Sequence, residues 1–199
     1  MSVLNVKNKR PFIIGLTGGI ATGKSLVSSE LKKKGLIIVD SDKIVHHLWQ
    51  TDMKLNDTVS KEFELEVPID KKRLAKMVFN DENRLSRLNE LIHPKVFSYI
   101  DNFIKDNMHL DIIIIDIPLL FEANYDKVDL TVLVYASPTQ QLERLMKRDK
   151  LSKKEAQIRI DNQMSINKKL FMADYVIYNN DTKEVLNEEI LKFIEKLGV

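Results

Sequence analysis

Apolar residues in this chain gather into short runs that alternate with stretches of helical spacing. The runs Ile13 to Thr17, Leu36 to Val39, Ile112 to Ile115, Thr131 to Tyr135 and Tyr175 to Tyr178 predict buried parallel strands. Between the first two, Lys24 to Lys34 has Val27 and Leu31 one helical turn apart before Gly35 stops the element. Strands separated by helices imply an α/β fold, a five-stranded parallel sheet flanked by helices, whose ligands gather beyond the carboxyl ends of the strands. Two stretches break the rhythm. The residues between Asp42 and Asp111 are rich in charge and helical in pattern, with Pro68 and Pro94 as punctuation, and predict a helical insertion covering the active edge of the sheet. Pro138 to Lys169, polar and helical, predicts a lid. The expected division is one domain over 1–199, with a core from 11–41, 111–137 and 170–199, an insertion at about 42–110 and a lid at about 138–169.

Composition narrows the class. With 199 residues and 44% hydrophobic content the chain can bury one good-sized core. Thirty-one Lys and Arg against 29 Asp and Glu leave a formal charge of +2, without the footprint of a dedicated nucleic-acid binder. There is no cysteine, which removes disulfides, thiolate metal sites and a cysteine nucleophile, and suits a reducing compartment. No apolar run approaches the roughly 18 residues of a membrane span, and the start MSVLNVKNKR lacks the apolar stretch of a signal peptide. A cytoplasmic protein with no membrane or nucleic-acid partner is expected.

Candidate chemistry starts at the first strand. Gly18-Gly19-Ile20-Ala21-Thr22-Gly23-Lys24-Ser25 forms a phosphate-cradling loop that closes on Gly-Lys-Ser. Glycines let backbone N–H groups turn toward phosphate oxygens, Lys24 brings charge to the β and γ phosphates, and Ser25 offers a hydroxyl to Mg²⁺. The apolar PFIIGLT enters the loop and a helix leaves it, so phosphates would sit at a helix N-terminus. No glycines fall in the GxGxxG spacing of dinucleotide binders. A nucleoside triphosphate is therefore the expected ligand.

Five further groups admit two readings each. In Val39-Asp40-Ser41-Asp42, Ser41 or Asp42 caps the following helix, or one carboxylate acts on a hydroxyl attacking the γ-phosphate while the other fixes Mg²⁺ through water. Arg144 and Arg148, four residues apart in QLERLMKRD, form either a solvated face neutralised by Glu143 and Asp149 or a lid that stabilises the phosphoryl group in transit. Asp116, ending an isoleucine run, opens a turn before Pro118 or holds Mg²⁺ beside Ser25. His93 precedes Pro94, which pushes its backbone out of the helical region; it ends a helix or faces the site. After the last strand, Asn179 and Asn180 form a turn or present an amide to an adenine edge.

GLTGGIATGKS, VDSD, LNELIHPKV, IDIPLLFE, QLERLMKRDKLSKKEAQIRIDNQ and ADYVIYNN, in this order, resemble dephospho-coenzyme A kinase from Phe12 to about Ile190. The resemblance implies a P-loop kinase core with a helical coenzyme-binding region and a lid, which phosphorylates the ribose 3′-hydroxyl of dephospho-coenzyme A with ATP and Mg²⁺. It implies catalytic roles for Asp42, Lys24, Arg148 and Arg144. ATP would meet Gly18 through Leu26 with Arg148 and Asn179, and the acceptor would meet Asp40, Asp42, His93, Pro118 and Leu119. Ser25 and Asp116 would hold the metal. Some positions depart from the family pattern. Ala21-Thr22 replaces Gly-Ser or Gly-Ala where side chains are expected to point away with little effect, Leu26 a frequent Thr, Lys71 an Arg, and Asp181 a frequent Gly. Another nucleoside, nucleotide or small-molecule kinase would share the features read from the residues alone. A regulatory switch of the GTPase kind would need the Asn-Lys-x-Asp and Asp-x-x-Gly motifs, which the sequence lacks.

Overall fold

The computed structural model describes residues 10–79 and 81–198; residues 1–9, on which the expectation about a leader rests, lie outside them. Elements follow in the order β1 (Phe12–Gly18), α1 (Lys24–Lys33), β2 (Ile38–Asp40), α2 (Ser41–Thr51), α3 (Met53–Phe63), α4 (Lys71–Phe79) and α5 (Glu82–Asp106). Then come β3 (Ile112–Asp116), β4 (Leu130–Tyr135), α6 (Pro138–Asp149), α7 (Lys153–Asp161), α8 (Ile166–Met172), β5 (Tyr175–Tyr178) and α9 (Lys183–Leu197). The chain forms two compact units, one from the residues up to Val39 and from Asn107 onward, the other Asp40–Asp106.

The first unit is built on the five-stranded parallel sheet that the apolar runs predict, in the order β2-β3-β1-β4-β5. β1 is central, with Leu16 opposite Asp116 of β3 and Gly18 opposite Val134 of β4. Because both parities of β1 and β3 are buried, the strands read as continuous apolar runs and not as alternation. On one face Ile14, Leu16, Ile114, Val132 and Ile177 pack with Val27 and Leu31 of α1 and Leu186, Ile190 and Phe193 of α9. The register brings the carboxyl ends of β1, β3 and β4 side by side, where a doubly wound sheet collects its ligand.

The second unit is helical. Leu88, Ile92, Val96 and Ile100, each four residues from the last, make a buried stripe along α5, and α2, α3 and α4 pack on that helix. This stripe overrides Pro94. A proline inside a helix removes one N–H and crowds the carbonyl four residues back, yet α5 runs through it without a break. His93 is thus helical and inside α5, contrary to the expectation that its backbone leaves the helical region before Pro94. Its half-buried ring packs on Phe97, one turn on, at 5.6 Å, and burial lowers the imidazole pKa. Among the described residues no helix is long and apolar enough to cross a membrane.

Candidate active site

The loop between β1 and α1 is shaped by its own residues and by side chains far along the chain. Gly23, at φ +89, opens α1 with no side-chain cap, and α1 carries no acid in its first turn, so its N-terminal amides are left to an anion. A Cβ at Gly23 would collide with the side-chain nitrogen of Asn179. That nitrogen donates to the Thr22 carbonyl at 2.8 Å, while the Asn179 backbone N–H donates to Tyr135. Asn179 is buried at the end of β5 and grips the loop itself.

Ala21 and Thr22 overturn the expectation that their side chains matter little. Ala21 sits at φ +58, a left-handed conformation that a Cβ disfavours. Thr22 is wholly buried, and its hydroxyl donates to the Gly19 carbonyl at 3.0 Å. The loop therefore closes on itself through the Thr22 hydroxyl.

Lys24 at the start of α1 forms an ion pair with Asp116, the buried last residue of β3. Sheet register explains the meeting, since β3 ends beside the strand that enters the loop. Ser25, next along α1, is exposed. Hydroxyl and carboxylate are hard oxygen donors. No cluster of three or more His, Cys, Asp or Glu side chains that could hold a metal ion occurs among the described residues.

Beneath the loop lies a group that the sequence reading missed. The ammonium of Lys169, from α8, donates to the Gly18 carbonyl at 3.1 Å and the Pro118 carbonyl at 3.3 Å, and pairs with Glu122 Oε1 at 2.8 Å. Thr17 also donates to the Pro118 carbonyl, at 3.0 Å. Glu122 accepts from the Met164 amide, and Gln163 Oε1 accepts from the Ile20 amide at 3.0 Å. The one signal in the sequence was a lysine three residues after a buried isoleucine, Ile166, on an apolar helical stripe. Leu119, beside Pro118, is partly exposed in the turn after β3.

The two arginines of α6 stand apart. Exposed Arg148 bonds Asp149 at 2.7 Å through Nε, which raises the guanidinium pKa and holds the carboxyl below its usual range. Arg159 of α7 shares Asp149 at 2.8 Å. Asp149, and not Glu143, is thus the neutralising partner. Arg144 is half-buried, and its Nη1 is buried without a hydrogen-bond partner. The N-terminus of α6 is tied to the turn after β5, where Asn180 Oδ1 accepts from the Ser137 amide at 2.8 Å.

In the helical unit the cap of α2 is Asp40, whose carboxylate accepts from the Lys43 amide at 3.2 Å; the expectation of Ser41 or Asp42 in that role is corrected. Ser41 is buried, and Asp42 is exposed in the first turn. The two carboxylates therefore differ: one is committed to the helix end, and the other projects from it.

A sequence profile described as dephospho-CoA kinase matches residues 12–184. The dephospho-CoA kinase of Lactobacillus acidophilus is 38% identical over 197 residues, covering 94% of this chain and 97% of that protein. The crystal structure of TT1252 from Thermus thermophilus superposes with a TM-score of 0.81 at 30% identity, covering 94% of this chain and 97% of that one. Dephospho-CoA kinase from Campylobacter jejuni gives 0.69 at 28% identity, over 93% and 96% of the two chains. Sheet order, phosphate loop and the length of these matches agree: the chain belongs to the dephospho-CoA kinase family.

Proposed function

We propose that this protein transfers the γ-phosphoryl group of ATP to the ribose 3′-hydroxyl of dephospho-coenzyme A, giving coenzyme A and ADP. The observation that carries the reading is the Gly18–Ser25 loop with Lys24 set against Asp116, in a chain that the family profile matches over residues 12–184. A bond forms between the 3′ oxygen and the γ phosphorus, the bond to the β–γ bridging oxygen breaks, and the hydroxyl proton leaves toward Asp42. Loop amides and Lys24 hold the β and γ phosphates, and Arg144 and Arg148 meet the charge of the group in transit. The unpartnered Nη1 of Arg144 is suited to a phosphate oxygen, since a buried N–H without an acceptor is costly. Asp40, His93, Pro118 and Leu119 belong to the acceptor side, and Asn179 serves ATP through the loop.

Ser25 and Asp116 fit Mg²⁺, as hard oxygens at the mouth of the loop. Bound there, Mg²⁺ would neutralise charge on the phosphates. Lys24 can then exchange Asp116 for phosphate oxygens, which frees the carboxylate to act as a ligand.

A coupled assay of ADP release, run with dephospho-coenzyme A against a panel of nucleosides and nucleotides, tests the reading. ADP formation should be slow with ATP alone and much faster with dephospho-coenzyme A than with any other acceptor. Equal stimulation by a nucleoside or nucleotide would assign a different kinase specificity, and GTP hydrolysis indifferent to every acceptor would point to a switch.

A further inference from the structure

Lys169 has no part in the chemistry assigned above, yet it has no exposed surface at all. Lysine is almost never fully buried unless its ammonium is paired. Here the pairing is complete: three N–H donors meet three acceptors, the carbonyls of Gly18 and Pro118 and the carboxylate of Glu122. Stability alone gives little reason to keep such a group. Replacing a buried ion pair by apolar residues of similar volume is often neutral or stabilising, so what the lysine supplies is direction.

Gly18 ends β1 and begins the phosphate loop. Its carbonyl and the Gly19 N–H belong to one rigid trans peptide and point in opposite senses. Drawing the carbonyl onto a buried ammonium therefore turns the Gly19 N–H away from it, toward the inner side of the loop. The second acceptor, Pro118, lies in the segment after β3 that carries Leu119, and the third, Glu122, holds the Met164 amide. Gln163, just before Met164, takes the Ile20 amide. Residues 163–169, the return from α7 into α8, thus grip the loop at Gly18 and Ile20, on either side of Gly19.

We propose that Lys169, seconded by Gln163, is a positioning residue for phosphoryl transfer, setting the peptide planes of the phosphate loop from its buried side and tying them to the turn after β3. The proposal rests on the reading of Gly18–Ser25 as the phosphate cradle. Its test uses inorganic tripolyphosphate, which has no base or ribose and reports on the loop alone. In the double variant Lys169→Met, Glu122→Gln, which leaves no unpaired buried charge, tripolyphosphate should displace a fluorescent ADP analogue at least about tenfold less effectively. Turnover should fall by about a hundredfold, as a misplaced cradle predicts, measured well below the melting temperature. A folded double variant with native tripolyphosphate affinity and native kcat would overturn the proposal. If the double variant does not fold, Gln163→Met, at a partly exposed position, decides: weaker tripolyphosphate binding supports the grip, and unchanged binding overturns it. Lys24→Ala is the control. If it too leaves tripolyphosphate binding untouched, the cradle reading has failed; if it weakens binding while the Lys169 variant does not, only the positioning role has.

Discussion

Asp42 is where a single side chain carries the sharpest test, because the structure separates two tasks that the sequence left joined. The cap of α2 is Asp40, so helix termination is not the task of Asp42, which stands in the first turn. Asp42→Asn should leave the melting temperature near native and ATP binding intact. It should slow phosphate transfer to dephospho-coenzyme A by about a hundredfold to ten-thousandfold, the range of a lost general base. A normal rate would move the search to Asp40. At this scale the sequence was legible where chemistry needs neighbouring residues, as in Gly23-Lys24-Ser25. Contacts made by distant residues left no such trace. Thr22, Gln163 and Lys169 look like ordinary polar positions until the fold brings Gly19, Ile20 and Gly18 to them, and nothing in the neighbourhood of Asn179 announces its bond to Thr22.

Among the elements, α6 holds the balance between the bland and the functional reading of its arginines. Arg148 is already neutralised by Asp149, which also holds Arg159. An exposed pair of this kind contributes little to stability, so Arg148→Ala should barely move the melting temperature. If the guanidinium leaves Asp149 for the phosphoryl group in transit, kcat and kcat/KM should fall together, because an interaction absent from the ground state acts on both. Unchanged kinetics would return Arg148 to the solvated surface. The strands were legible to within two residues at either end because burial on both faces demands uninterrupted apolar runs. Helix α5 was not. The local rule that a residue before proline leaves the helix was weighed without the stripe Leu88, Ile92, Val96 and Ile100, whose burial holds the helix through Pro94.

On the scale of the molecule, acid should act through the ties that fasten distant parts of the sheet unit. Asp129, just before β4, accepts two hydrogen bonds from Arg10 and one from the Ile13 amide at the start of β1. Burial alone would push its pKa up, but the bonds from Arg10 and Ile13 outweigh it and the carboxyl titrates below its ordinary value. A depressed folded pKa gives stability that is present above the unfolded value near about 3.9 and is lost as pH falls through the folded one. The melting temperature of the native protein should therefore exceed that of Asp129→Asn by a constant margin from pH 5 to 7. The margin should shrink below about pH 4; one that persists there would show that the charge of Asp129 is not the tie. The sequence foresaw the parallel sheet and a helical insertion, since each has its own periodicity. The distant ties it could not show, because no period links residue 10 to residue 129. The same distances set a timetable. Gly18 and Thr22 leave the ribosome early, but their carbonyls wait for Lys169 and Asn179, which lie 151 and 157 positions later. The loop is thus finished only when residues far later in the chain arrive, and a chain made as far as α1 lacks the buried supports from Lys169 and Asn179.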